Sequence, residues 1–94
     1  MAEQNIRIVT SSTDLTAWDE TILVDDSSTA ITIGLPPSRS VPRKVFRIKK
    51  IGANNSTIID AAGTETIDGI PSQVVTAQYN SLTIQTDGVA WYIL

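Results

Sequence analysis

An all-β fold, an antiparallel β-sandwich or barrel-like domain of about eight short strands, is predicted by three features of this sequence. Ser and Thr supply 21 of the 94 residues, a composition that suits strands and polar loops better than helices. Gly, Pro, Asn and Asp recur roughly every eight to twelve residues, the spacing of turns between short strands. Apolar and polar side chains alternate within the intervening runs, which is the period of a half-buried strand.

The first run, Ile6–Val9, places Ile6 and Ile8 on one side and Arg7 and Val9 on the other. Residues 1–9 are expected to be either an N-terminal arm or the first strand of a single domain spanning 1–94. Ser12–Glu20 holds only two large apolar residues, Leu15 and Trp18, so a loop or one helical turn is expected there. Thr21–Val24 is the next strand. In Ala30–Leu35, Ile31, Ile33 and Leu35 face one way, and Pro36-Pro37 stops the strand because proline has no N–H to donate. Val45–Ile51 sets Phe46 and Ile48 against Arg47 and Lys49. Its phase slips at Lys49-Lys50, which predicts a bulge or bend. Asn54-Asn55 reads as a hairpin turn that pairs Ile51 with Ile58. Thr57–Asp60, Thr66–Ile67 and Val74–Ala77 follow as short strands. Leu82–Thr86 and Ala90–Leu94 flank Asp87-Gly88, read as a two-residue turn with positive φ at both positions. Counting outward pairs Thr86 with Val89, Ile84 with Trp91 and Leu82 with Ile93. No internal repeat is evident.

Composition excludes most chemistry. The chain has neither cysteine nor histidine, so disulfides, ordinary zinc sites and Ser–His or Cys–His nucleophiles are ruled out. Ten carboxylates remain for a glycosidase-type acid/base pair, but most sit in turn contexts such as Asp25-Asp26-Ser27. No catalytic residue, metal or cofactor is expected. The N-terminus lacks the basic and apolar regions of a signal peptide, so the Asn54 and Asn55 sequons read as polar turn, and no membrane partner is expected.

Charge is segregated. Six of the seven basic residues, Arg39, Arg43, Lys44, Arg47, Lys49 and Lys50, lie between 39 and 50 without an acid. Three readings compete: phosphate binding, contact with an acidic surface on a second copy or a larger partner, and a solvated edge that resists aggregation. A pI near 4.6 and the lack of stacking aromatics other than Phe46 argue against nucleic acid. The candidate interface is Ile6, Arg7, Ile8, Arg43, Lys44, Arg47 and Lys49. Trp18, Tyr79, Trp91 and Tyr92 are candidates for a sugar-stacking platform, against the simpler expectation that Trp91 is core and Tyr92 surface or interface.

Several segments in order, Thr29-Ala-Ile-Thr-Ile-Gly-Leu-Pro36, Phe46-Arg-Ile-Lys-Lys-Ile51, Thr57-Ile-Ile-Asp60, Gly63-Thr-Glu-Thr-Ile-Asp-Gly69, Ser81-Leu-Thr-Ile84 and Asp87-Gly-Val-Ala-Trp-Tyr-Ile93, carry a resemblance. The chain from about Leu23 onward resembles the small β-domains of tailed-bacteriophage virion proteins, found in fibres, spikes and head-decoration subunits. Glu65–Gly69 and the closing Asp-Gly-x-x-Trp-Tyr are its most specific parts. The resemblance implies a β-rich, homotrimeric, non-enzymatic protein located in the virion, with no active site to transfer. A long fibre stem has no room in 94 residues, which favours a capsid decoration (cement) protein docked on the major capsid protein or another virion protein. A fibre, spike or baseplate adhesion module that binds host-surface glycans is the alternative.

Overall fold

The computed structural model describes residues 5–94 and is nearly all β. The strands are β1 (Ile6–Val9), β2 (Thr13–Asp14), β3 (Thr21–Val24), β4 (Ile31–Gly34), β5 (Val45–Lys50), β6 (Thr57–Asp60), β7 (Ser72–Val75), β8 (Ser81–Thr86) and β9 (Trp91–Ile93). A 3-10 turn, Ser38–Ser40, follows the two prolines. The strands form two mixed sheets, neither closed into a barrel, with orders β1-β3-β5-β8-β9 and β2-β4-β6-β7.

The antiparallel expectation holds for only part of these sheets. β5 pairs antiparallel with β8, β6 with β7, and β8 with β9. The pairs β1–β3, β3–β5, β2–β4 and β4–β6 are parallel. From β1 to β6 the chain alternates between the sheets, so each strand lies beside the strand two elements earlier. It winds as successive coils and reverses direction only after β6. Thr21 pairs with Arg47 and Ile31 with Thr57, the same offset of 26 residues in both sheets. A repeat is therefore present in space. Inward positions coincide across the offset: Ile22 lies beside Ile48, and Ile33 beside Ile59, all fully buried. Parallel strands need a long crossover, and here the crossover is a strand of the opposite sheet.

The coil explains two further departures. Asn54-Asn55 is not a hairpin turn, because β5 and β6 lie in different sheets. It forms a corner stacked on the Asp25–Ala30 corner of the preceding coil, where Asn55 Nδ2 donates to Asp26 O at 2.8 Å. The bulge expected at Lys49-Lys50 is absent, since β5 pairs regularly with β8 from Val45 to Lys49 and Lys50 continues the inward series after Phe46 and Ile48. Lys50 is fully buried. Its Nζ donates to Asp26 Oδ1 at 2.8 Å and to Gly52 O at 2.6 Å, while Thr57 Oγ1 donates to Asp26 Oδ2 at 2.9 Å. Gly52 is required at this corner: a Cβ there would collide with the Asp26 carboxylate and lie 2.7 Å from the backbone nitrogens of Asp26 and Ser27.

The C-terminal hairpin has its expected faces and a shifted register. Thr86 pairs with Trp91, Gln85 with Tyr92 and Ile84 with Ile93, so the loop is four residues, 87–90. A slip of two residues preserves the alternation, and Trp91 and Ile84 both remain buried while Tyr92 is exposed. The Asp87 carboxylate explains the longer loop, because its Oδ1 accepts the backbone N–H of Val89 at 2.9 Å and of Ala90 at 3.0 Å. Those donors, Ala90 first, hold the Asp87 carboxyl below its usual range. The loop therefore draws full support from the carboxylate above the ordinary Asp range and loses it as pH falls through the lowered value. Gly88 has φ +97°, so Gly88→Val is expected to destabilise the fold by ~1–3 kcal/mol through backbone strain. Thermal melting checks this.

The two-residue turn with positive φ at both positions belongs to another Asp-Gly pair. Asp68 and Gly69 have φ of 52° and 81°, and Ile67 and Ile70 exchange backbone hydrogen bonds at 2.7 and 3.1 Å across them. Thr66–Ile67 is thus an isolated bridge rather than a strand. Ser12–Glu20 contains the short strand β2 and no helix.

Candidate docking surface

Backbone register places one set of side chains on the outward face of the five-stranded sheet. Across the strands run the rows Ile6–Thr21–Arg47–Thr83 and Ile8–Leu23–Lys49–Ser81. A third row is Val45–Gln85–Tyr92. Leu94 N donates to Thr83 O at 2.9 Å, which carries the first row to the far edge. Ile6 and Ile8 stand exposed at one edge, Tyr92 and Leu94 at the other, and Arg47 and Lys49 in the middle. The interior behind this face is filled. Phe46 and Trp91, both fully buried, stack with ring centroids 5.5 Å apart.

Four of the expected interface residues, Ile6, Ile8, Arg47 and Lys49, share this face. Arg47 has no ion-pair partner among the described residues. Lys49 Nζ donates to Tyr79 O at 3.0 Å and lies over the Tyr79 ring at 5.9 Å. Arg7 turns to the inner side, where its Nε is 3.2 Å from Oδ1 of the buried Asp19 and ties β1 to the loop before β3. Arg43 and Lys44 lie in the approach to β5. Arg43 has φ 67°, and Lys44 Nζ donates to Ala17 O at 3.0 Å above the Phe46 ring. Arg39 is exposed on the 3-10 turn, and Lys50 is buried. The basic run of the sequence is thus divided among different environments. Residues 1–4 of the expected arm lie outside the described residues.

The opposite sheet bears the opposite charge on its outward positions. Asp14 and Asp60 flank Gly34 in one cross-strand row, and Thr32, Ile58 and Val74 form the next. A Cβ at Gly34 would meet the end of the Asp14 side chain, which would have to turn aside. No cluster of three metal-ligating side chains occurs among the described residues.

The aromatic side chains do not form one platform. Trp91 is core. Trp18 O accepts from Asn5 Nδ2 beside the start of β1, whereas Tyr79 N donates to Lys50 O at the end of β5. Because β1, β3 and β5 are parallel, these exposed rings stand at opposite ends of the sheet.

The Glu65–Gly69 and Asp87–Ile93 segments meet in space. Trp91 N donates to Thr66 O and Asp68 N to Trp91 O, both at 2.9 Å, and Ile93 N donates to Asp68 Oδ1 at 3.1 Å. Glu65–Gly69 therefore covers the outer edge of β9, an arrangement that spacing alone does not reveal. Glu65 also holds the 3-10 turn, accepting from Ser38 N at 3.1 Å and Ser38 Oγ at 2.8 Å. No family model matches this chain, and no curated protein or solved structure matches it significantly.

Proposed function

We propose that this protein is a non-enzymatic structural subunit of a tailed-phage virion, a capsid decoration protein that docks on the shell as a homotrimer. The observation that carries the reading is the union of Glu65–Gly69 with the Asp87–Ile93 segment through the Trp91 and Asp68 hydrogen bonds. The most specific elements of the resemblance are one physical unit, each fixing the register of the other. The two sheets are read as the layers of a sandwich that presents broad outer faces to its partners. A sheet face with Arg47 and Lys49 between apolar edges suits adhesion to an acidic protein surface. Three subunits docking together add their contacts, so individually weak interfaces hold firmly.

Binding of purified protein to shells that lack it tests the reading. Affinity is expected to fall steadily as salt rises. Arg47→Gln with Lys49→Gln is expected to weaken binding and flatten that salt dependence while leaving the melting temperature within a few degrees, because both side chains point away from the core. Failure of the unaltered protein to bind any shell of its own phage contradicts the reading.

A further inference from the structure

We infer that Trp18 is the anchor by which this protein holds its partner, an exposed indole that seats in an apolar, acid-rimmed pocket of another protein. The inference rests on the virion reading and deepens it, because it names what the neighbouring subunit must offer.

Trp18 is 84% exposed, so its side chain adds little to the fold, yet the turn that displays it is fastened at every residue from 16 to 19. Asp19 is buried, and its carboxylate accepts Thr16 N at 2.9 Å and pairs with the Arg7 guanidinium at 3.2 Å. Asp19 N donates to Thr16 O at 3.1 Å, which closes the turn. Trp18 O accepts from Asn5 Nδ2 and Ala17 O from Lys44 Nζ, both at 3.0 Å. Side chains from β1, from the residue before it and from the approach to β5 thus converge on four residues. A lone exposed apolar side chain needs no explanation. An indole on a turn held from three directions is preorganised, so little freedom is lost when it binds. Tryptophan is also among the residues that most often dominate a protein interface.

The same hydrogen bonds select the partner. The carbonyls of Thr16, Ala17 and Trp18 and the carboxylate of Asp19 are all engaged within the molecule. A sugar stacked on the indole needs polar groups beside the ring to take its hydroxyls, and those of the turn are occupied. An apolar pocket needs only the ring. Charge sets the rim of that pocket. The Lys44 ammonium lies at the turn, and Arg47 N donates to Glu20 O at 2.8 Å, which joins the turn to the row that carries Arg47. Neither cation has an ion-pair partner among the described residues, so carboxylates around the pocket complement both.

Binding to shells that lack this protein is the test, read with iodide quenching. Trp18→Ala is expected to weaken binding ~30-fold or more. Its melting temperature is expected to stay within a few degrees, and Trp18→Gln replaces it if circular dichroism shows that alanine disturbs the fold. Protein grown with 5-hydroxytryptophan can be excited apart from the tryptophans of the shell. Iodide is expected to quench its Trp18 emission in solution and to lose that access on the shell, while the fully buried Trp91 resists iodide in both states. Undiminished binding by both Trp18 variants, a Trp18 shielded from iodide in the free protein, or a shell-bound Trp18 that iodide still reaches overturns the inference. So does shielding of Trp18 by millimolar glucose, galactose or N-acetylglucosamine oligosaccharides, which would make the turn a glycan site. The two readings fail differently. Shell binding that ignores Trp18 overturns only the anchor, whereas absence of shell binding by the unaltered protein overturns the virion reading and the anchor with it.

Discussion

Lys50→Met is expected to destabilise the fold by ~3–5 kcal/mol, a large share of the roughly 5–15 kcal/mol that holds a domain of this size together. Lys50 and Asp26 are both fully buried, and removing the ammonium leaves the Asp26 carboxylate inside with only the Thr57 hydroxyl for a side-chain partner. The loss arises from that stranded charge more than from a missing attraction. Lys50→Met combined with Asp26→Leu and Thr57→Val, which removes the whole polar cluster, is therefore expected to recover much of the stability. Urea unfolding of the single and triple variants measures both effects. Additive losses would show that the cluster is not coupled as the geometry requires.

Trp91→Ala is expected to cost ~3–5 kcal/mol. The indole is fully buried, lies against Phe46, and belongs to the strand whose backbone anchors Thr66 and Asp68. Trp91→Phe is expected to cost much less, because Trp91 Nε1 has no hydrogen-bond partner among the described residues and only area and shape are lost. Thermal unfolding of the two variants separates packing from polar contributions. Equal losses would contradict this account of the core.

Strand positions were legible wherever alternation was clean. Ile31, Ile33, Phe46 and Ile48 face inward as the period requires. Pairing was less legible, because turn chemistry does not reveal whether the strands it separates lie in one sheet or in two. Asn54-Asn55 marks a corner between sheets, and its side chain bonds to the previous coil rather than closing a hairpin. The 26-residue repeat was hidden because few equivalent positions share identity: Ile22 lies beside Ile48 and Ile33 beside Ile59, but Val24 lies beside Lys50 and Ile31 beside Thr57. A lysine following an alternating apolar run reads as a break in phase when its buried acid lies 24 residues away. The short β2 strand carries no apolar alternation, and it is placed by backbone pairing of Thr13 with Ile33 and Asp14 with Gly34. The candidate surface was half visible. Arg47 and Lys49 were found by charge, while Tyr92 and Leu94 join their face only through the β8–β9 register.

A three-dimensional reconstruction of particles purified from cells that express this chain tests the proposed virion function, the central claim, most directly. The account predicts trimeric density on the outside of the shell, into which this two-sheet fold fits with the Arg47/Lys49 face toward acidic side chains of a neighbouring subunit. Virions whose shell and tail contain no such density, together with peptide mass spectrometry that fails to find the chain in the particle, would contradict it.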